Sequence, residues 1–219
     1  MLKKFVNNTL SFHCLAYCLS VIISALPVGA TQAKQNDNYN TFTEWCENIE
    51  YISAKARDTV EVLLKEVETK DCLTAEVELL RITELWLVYK SIVDIRPLSG
   101  LTNLTYLSLS NNQITDISPL SGLTNLTVLD LDDNEITDIS PLSGLTNLTV
   151  LRLADNEIAD ISWLSGLTNL TVLDLADNEI TDISQLSGLT NLTILGLSKN
   201  QIANHTCPVQ PESICQFYY

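Results

Sequence analysis

The apolar positions of this chain follow two periods. From Leu79 to Ile202 one spacing returns every 22 residues, L-x-x-L-x-x-L-x-L-x-x-N-x-I-x-D-I-x-x-L-x-x, with copies beginning at Leu79, Leu101, Leu123, Leu145, Leu167 and Leu189. Inside each copy a triplet such as Leu129-Asp130-Leu131 alternates with period two, which predicts a short strand with its leucines inward and Asp130 outward. Ahead of the repeats the period is helical. Val60, Leu63, Leu64 and Val67 sit at i, i+3, i+4 and i+7, Trp45, Ile49 and Ile52 suggest an earlier helix, and Val77 with Leu80 a later one.

One strand per 22 residues, stacked at about 4.8 Å on the next, predicts a parallel sheet running along one side of a solenoid. No coil can bury its own leucines, so each depends on its neighbours. The column Asn112, Asn134, Asn156, Asn178 and Asn200 falls where each strand ends. Its amides carry donor and acceptor together and can satisfy buried backbone of adjacent coils. The first copy has Lys90 at that place. On the far side, Ser118-Pro119 and Ser140-Pro141 suit an N-cap followed by proline, predicting a short 3₁₀ or α turn that closes at Gly122 or Gly144. Asp116, Asp138, Asp160 and Asp182 stand just before that turn and are expected to bond local backbone.

The phrase contains the leucine-rich-repeat signature LxxLxLxxN. Its NxIxDIxPLxxLxxL stretch resembles the 22-residue repeats of bacterial internalin-type leucine-rich-repeat proteins. The resemblance covers residues 79 to about 206 and implies an α/β leucine-rich-repeat solenoid, with a parallel β-sheet on the concave face and short turns on the convex face. It also implies an exported protein that binds other proteins through its concave face. The chain departs from the family's larger members in having six coils and no LPxTG motif.

Both ends of a solenoid need covers. Residues 34–78 are expected to form an N-terminal helical cap, residues 79–206 the six coils and residues 207–219 a C-terminal cap. Residues 1–33, with Lys3 and Lys4, an apolar run from Leu10 to Leu26 and the small-residue segment VGATQA, have the order of a secretory signal peptide. An uncleaved membrane anchor is the alternative; after cleavage no membrane span is expected. The protein is therefore expected to be secreted, periplasmic or on the cell surface. Four cysteines then remain, Cys46, Cys72, Cys207 and Cys215, and they allow three pairings. Two precede the repeats and two follow them, so Cys46–Cys72 and Cys207–Cys215 are the economical choice in an oxidising compartment. Zinc bound by all four is the other reading, without a CxxC spacing to support it.

The composition is acidic, with 27 Asp and Glu against 12 Lys and Arg and a net charge of −15. Loss of Lys3 and Lys4 with the signal takes it to −17. This charge argues against nucleic acid and anionic membranes as partners. Catalytic signals are sparse: one histidine, His205, lies beyond residue 33, and no phosphate-binding glycine loop is present. The reading is a non-enzymatic monomer that needs no cofactor.

Function is sought where the repeat varies. The residue between the strand leucines is Trp86, Ser108, Asp130, Arg152, Asp174 or Gly196. Trp86, Tyr89 and Tyr106 gather at the N-terminal end of the concave sheet, either as anchors for a protein partner or as packing for a cap folded over them. Asp130, Asp132 and Asp174 contribute to an acidic face, with Arg152 expected to pair with both Asp130 and Asp174. The predicted function is recognition of a protein partner by the concave face. The alternative is a structural or adhesive surface component that binds polymer or divalent cations through its acids. Trp163, in the place of the convex proline, hints at a second contact. The NLT triplets at Asn103, Asn125, Asn147, Asn169 and Asn191 match glycosylation sequons, but repetition of a turn residue before each strand accounts for them.

Overall fold

The computed structural model describes residues 39–217, so the signal-peptide reading of residues 1–33 lies outside the described residues. Seven strands, β1 (Glu84–Trp86), β2 (Tyr106–Ser108), β3 (Val128–Asp130), β4 (Val150–Arg152), β5 (Val172–Asp174), β6 (Ile194–Gly196) and β7 (Cys215–Gln216), pair in chain order and parallel. Registry is one coil per strand, with Leu107 beside Leu129 and Leu129 beside Leu151. Amide groups of Leu87, Leu109 and Leu131 continue the ladder past each strand, donating to Ser108, Asp130 and Arg152 carbonyls at 2.8–2.9 Å. The inward leucines and isoleucines form one continuous buried core along the stack. Because each strand is only two or three residues long, that shared core rather than any single strand supplies the stability.

The asparagine column does what its chemistry allows. Asn134 Nδ2 donates to the carbonyls of Leu109, Leu131 and Asp132, and its Oδ1 accepts the Ile114 N–H at 3.1 Å. Asn156 and Asn178 repeat the set one and two coils on. A second ladder runs along the NLT triplets. Asn125, Asn147 and Asn169 donate through Nδ2 to Thr102, Thr124 and Thr146 carbonyls at 2.8–2.9 Å, and the following Thr127, Thr149 and Thr171 donate to Thr105, Thr127 and Thr149 carbonyls at 3.0 Å. Here the sequon spacing places two coil-to-coil ties.

On the convex side lie 3₁₀ turns at Arg96–Leu98, Ser118–Gly122, Ser140–Gly144, Ser162–Gly166 and Ser184–Gly188. The serine is the first helical residue and not the N-cap expected from the sequence; the capping residue is an isoleucine with no side-chain bond. The free amide is met from two residues back, where Asp116, Asp138, Asp160 and Asp182 accept the N–H of Ser118, Ser140, Ser162 and Ser184 at 2.8–2.9 Å. Those bonds hold the Asp160 and Asp182 carboxyls below their ordinary pKa. Between strand and asparagine each coil turns through the left-handed region, at Tyr89, Asn111, Asp133, Asp155, Asp177 and Lys199, with φ of 54–57°. Asn and Asp tolerate this geometry better than other non-glycine residues.

Three helices cover the first coil: α1 (Phe42–Glu47), α2 (Ala54–Glu66) and α3 (Cys72–Leu79). Thr41 and Glu44 form a capping box on α1, and Ser53 and Asp71 accept backbone N–H groups at the starts of α2 and α3. The expected apolar faces need two corrections. Helix α1 ends at Glu47, so Ile49 and Ile52 pack from the turn that follows, and α3 buries Ala75 and Leu79 while leaving Val77 exposed. The disulfide Cys46–Cys72 joins α1 to α3 across a separation of 26 residues. Thr59 donates from α2 to the Asp94 carbonyl at 2.7 Å, fastening the cap to the first convex turn. At the other end Cys207–Cys215 closes the chain, and β7 adds a seventh strand that the six-coil reading did not contain.

Two substitutions separate the ladders. Asn156→Ala leaves the buried Ile136 N–H without a partner and takes one of two donors from the Leu131 and Leu153 carbonyls, and is expected to cost about 1–3 kcal/mol, whereas Asn147→Ala at the exposed ladder is expected to cost about 1 kcal/mol or less. Urea unfolding midpoints of the two variants against wild type measure the difference.

Candidate recognition surface

Strand registry lays the outward residues of this solenoid out in columns. The first runs Glu84, Tyr106, Val128, Val150, Val172, Ile194, an apolar stripe across five coils that begins at a carboxylate. The second runs Trp86, Ser108, Asp130, Arg152, Asp174, Gly196. At their N-terminal end the Trp86 and Tyr106 rings lie 5.1 Å apart, tilted by 39°. Trp86 is 51% exposed and Tyr89 76%, so the helical cap does not fold over them. It packs instead against the Arg96–Leu98 turn on the convex side, with the Arg96 guanidinium 5.2 Å above the buried Trp45 ring. Tyr89 also occupies the left-handed position that Asn or Asp fills in four other coils, an unfavourable backbone for an aromatic residue.

The acids in the middle of the face are partly spent on backbone. Asp130 accepts the Ser108 hydroxyl at 3.1 Å and the Asp132 N–H at 3.2 Å, and Asp174 accepts the Ala176 N–H at 3.1 Å. Asp132 reaches across to the next coil and accepts the Ala154 N–H at 2.7 Å. Gly196 leaves room for the Asp174 carboxylate, which occupies the space a Cβ there would need. Arg152 stands beside Asp130 and Asp174 in registry, but the expected pairs do not form: its side chain extends into solvent and makes no ion pair among the described residues. Its charge acts on Asp132 through space. Partial burial is the main reason the half-buried Asp132 carboxyl is pushed up to about 6; Asp130 and Asp174 add to the rise, and the Ala154 bond and Arg152 oppose it.

Farther out, Asp133 and Asp155 project from the left-handed turns, and Asp177 pairs with Lys199 at 2.5 Å. Glu135, Glu157 and Glu179 line the edge, all exposed. Among the described residues no three Asp, Glu, His or Cys side chains gather as a metal site, and no helix is long and apolar enough to cross a membrane. His205 packs edge-on against Phe217 at 5.1 Å in the C-terminal cap. Trp163 is exposed on the convex side, away from the aromatic cluster. The left-handed column is the site feature that sequence reasoning missed. Its only signal was Asn or Asp recurring one place before the ladder asparagine, and that reads equally well as surface charge.

Stacked single-strand coils around an asparagine ladder define a leucine-rich-repeat solenoid, and the chain belongs to the leucine-rich-repeat family. The family profile described as leucine-rich repeats (2 copies) matches residues 81–122 and 124–166, and a second, described as leucine-rich repeat, matches residues 146–202. The solved structures place it among bacterial internalin-type proteins. Internalin C2 from Listeria monocytogenes is 48% identical over 56% of this chain and 54% of its own, with a TM-score of 0.54. The internalin InlF from the same species is 32% identical over 74% of this chain and 54% of its own, with a TM-score of 0.57. A leucine-rich-repeat protein of Leptospira interrogans is 27% identical over 67% of this chain and 39% of its own, with a TM-score of 0.54. The chain thus spans about half the length of the two internalins. No curated protein sequence matches it.

The Asp132 environment predicts a pH dependence of stability. Its carboxyl titrates higher in the folded chain than in the unfolded one, so the group opposes folding when ionised. That penalty is absent below about pH 4, grows between the unfolded value of 3.8 and the folded value of about 6, and is complete above it. Asp132→Asn keeps an oxygen for the Ala154 N–H and removes the charge. Its urea midpoint is expected to exceed that of wild type at pH 8 and to converge with it at pH 4.

Proposed function

We propose that the protein is an exported, non-catalytic recognition module that binds a protein partner through its concave face. The observation that carries this reading is the exposed Trp86 ring against the half-buried Tyr106 and beside the exposed Tyr89, continuous with the apolar stripe of Val128, Val150 and Val172. Aromatic side chains at the end of a flat apolar stripe supply large contact area at little entropic cost, the usual property of anchor residues. Asp130, Asp132, Arg152 and Asp174 surround the stripe with charge that selects among partners. Two disulfides in the caps support export, since such bonds persist in oxidising compartments.

A pull-down from the extracellular or periplasmic fraction of the source cell, with wild-type chain and a Trp86→Ala/Tyr106→Ala variant as baits, tests the assignment. Both residues are at the surface, so the variant is expected to keep the wild-type circular dichroism spectrum. The expected result is a discrete protein held by wild type and lost or weakened at least tenfold by the variant. Equal capture by two folded baits overturns the assignment.

A further inference from the structure

Beyond the apolar stripe the concave face turns acidic in a way its backbone does not require. The left-handed turn is filled by Asn111 in the second coil, and the residue two places on is Gln113 there and Gln201 in the last. Gln113, Glu135 and Gln201 donate the same backbone bond to the preceding coil, to Ile92, Ile114 and Ile180, at 2.9–3.0 Å. Neutral amides therefore satisfy this geometry. The three central coils instead carry Asp133, Asp155 and Asp177 with Glu135, Glu157 and Glu179, and Lys199 neutralises Asp177 alone.

We infer that the partner element seated on this face is a cationic amphipathic helix lying along the solenoid axis, its apolar side on the Val128–Val172 stripe and its Lys and Arg side chains over the acidic edge. The inference rests on the concave-face reading above and adds the chemistry of the partner. Coil spacing of about 4.8 Å is near the rise of one helical turn, about 5.4 Å, so a helix offers roughly one apolar and one basic side chain to each coil. An extended strand repeats a face only every 6.6–6.8 Å or so and falls out of step within two coils. Trp86 and Tyr106 close the N-terminal end of the stripe, where an exposed aromatic face takes either an apolar side chain or a cation.

The probe is a fluorescein-labelled 14-residue helix of Leu and Lys, (LKKLLKL)2, read by anisotropy on the full chain, with (LEELLEL)2 as its acidic counterpart. Wild type is expected to bind the Lys helix and not the Glu helix. Glu135→Gln/Glu157→Gln/Glu179→Gln is expected to weaken binding at least tenfold, and so is Trp86→Ala/Tyr106→Ala. The control Glu47→Gln/Glu50→Gln/Glu61→Gln removes equal charge from the exposed surface of the helical cap and is expected to change binding less than threefold. Equal weakening by the edge and cap triples, or equal binding of the Glu helix, overturns the inference by reducing it to bulk charge. If that happens while a partner is still lost with Trp86 and Tyr106 in the pull-down, concave recognition stands and only the cationic helix falls.

Discussion

Everything in this molecule depends on the inability of a 22-residue coil to satisfy itself. A single coil has one short strand, too few leucines to close a core and several backbone groups facing inward. Stacking answers all three needs together, because the next coil supplies a strand edge, an apolar surface and the amide of an asparagine. Asn134 shows the economy: one side chain serves carbonyls at Leu109, Leu131 and Asp132 and an amide at Ile114. The ends inherit the problem. Three helices and a disulfide solve it on one side, while a two-residue strand and a second disulfide solve it on the other.

That same constraint divides residues available to function from those that are not. Leucines, ladder asparagines and the NLT triplets are committed to coil-to-coil contacts, and the carboxylates before each convex turn to the local backbone of their own coil. The outward columns remain. Even there, Asp130, Asp132 and Asp174 each accept a backbone N–H, so their charges are fixed in place before any partner arrives. Preorganised charge of this kind favours selectivity, since little side-chain freedom is lost on contact.

Strand positions, the core face and the ladder were legible in the sequence because each rests on a spacing that repeats. Leu129-x-Leu131 states period two, and Asn112 to Asn200 states one polar group per coil. Features that occur once were less legible. Cys215-Gln216 has no leucine on either side, so β7 could not be read as a strand, and Val77 looked like a core residue because α3 offers two apolar flanks of which only that of Ala75 and Leu79 meets the cap. The missing ion pairs of Arg152 have another cause. Registry places its Cα beside those of Asp130 and Asp174, but both carboxylates turn to nearer N–H groups, and an exposed guanidinium gains little from pursuing them.

The left-handed column sharpens how repeat surfaces can be read. Asp133, Asp155 and Asp177 answer to two pressures at once, a backbone that favours Asn or Asp and a surface that carries negative charge. Asn111 meets the first pressure alone, so what distinguishes the central coils is the second. Tyr89 runs the other way: it takes the strained position with a side chain the backbone does not favour, next to Trp86 and 76% exposed. The coil imposes this φ on every copy, exposed Lys199 included, so the backbone accounts for the turn but not for an aromatic side chain at it. On the reading proposed for the concave face, what Tyr89 contributes lies in what it touches outside the chain, at the end of the sheet beside Trp86.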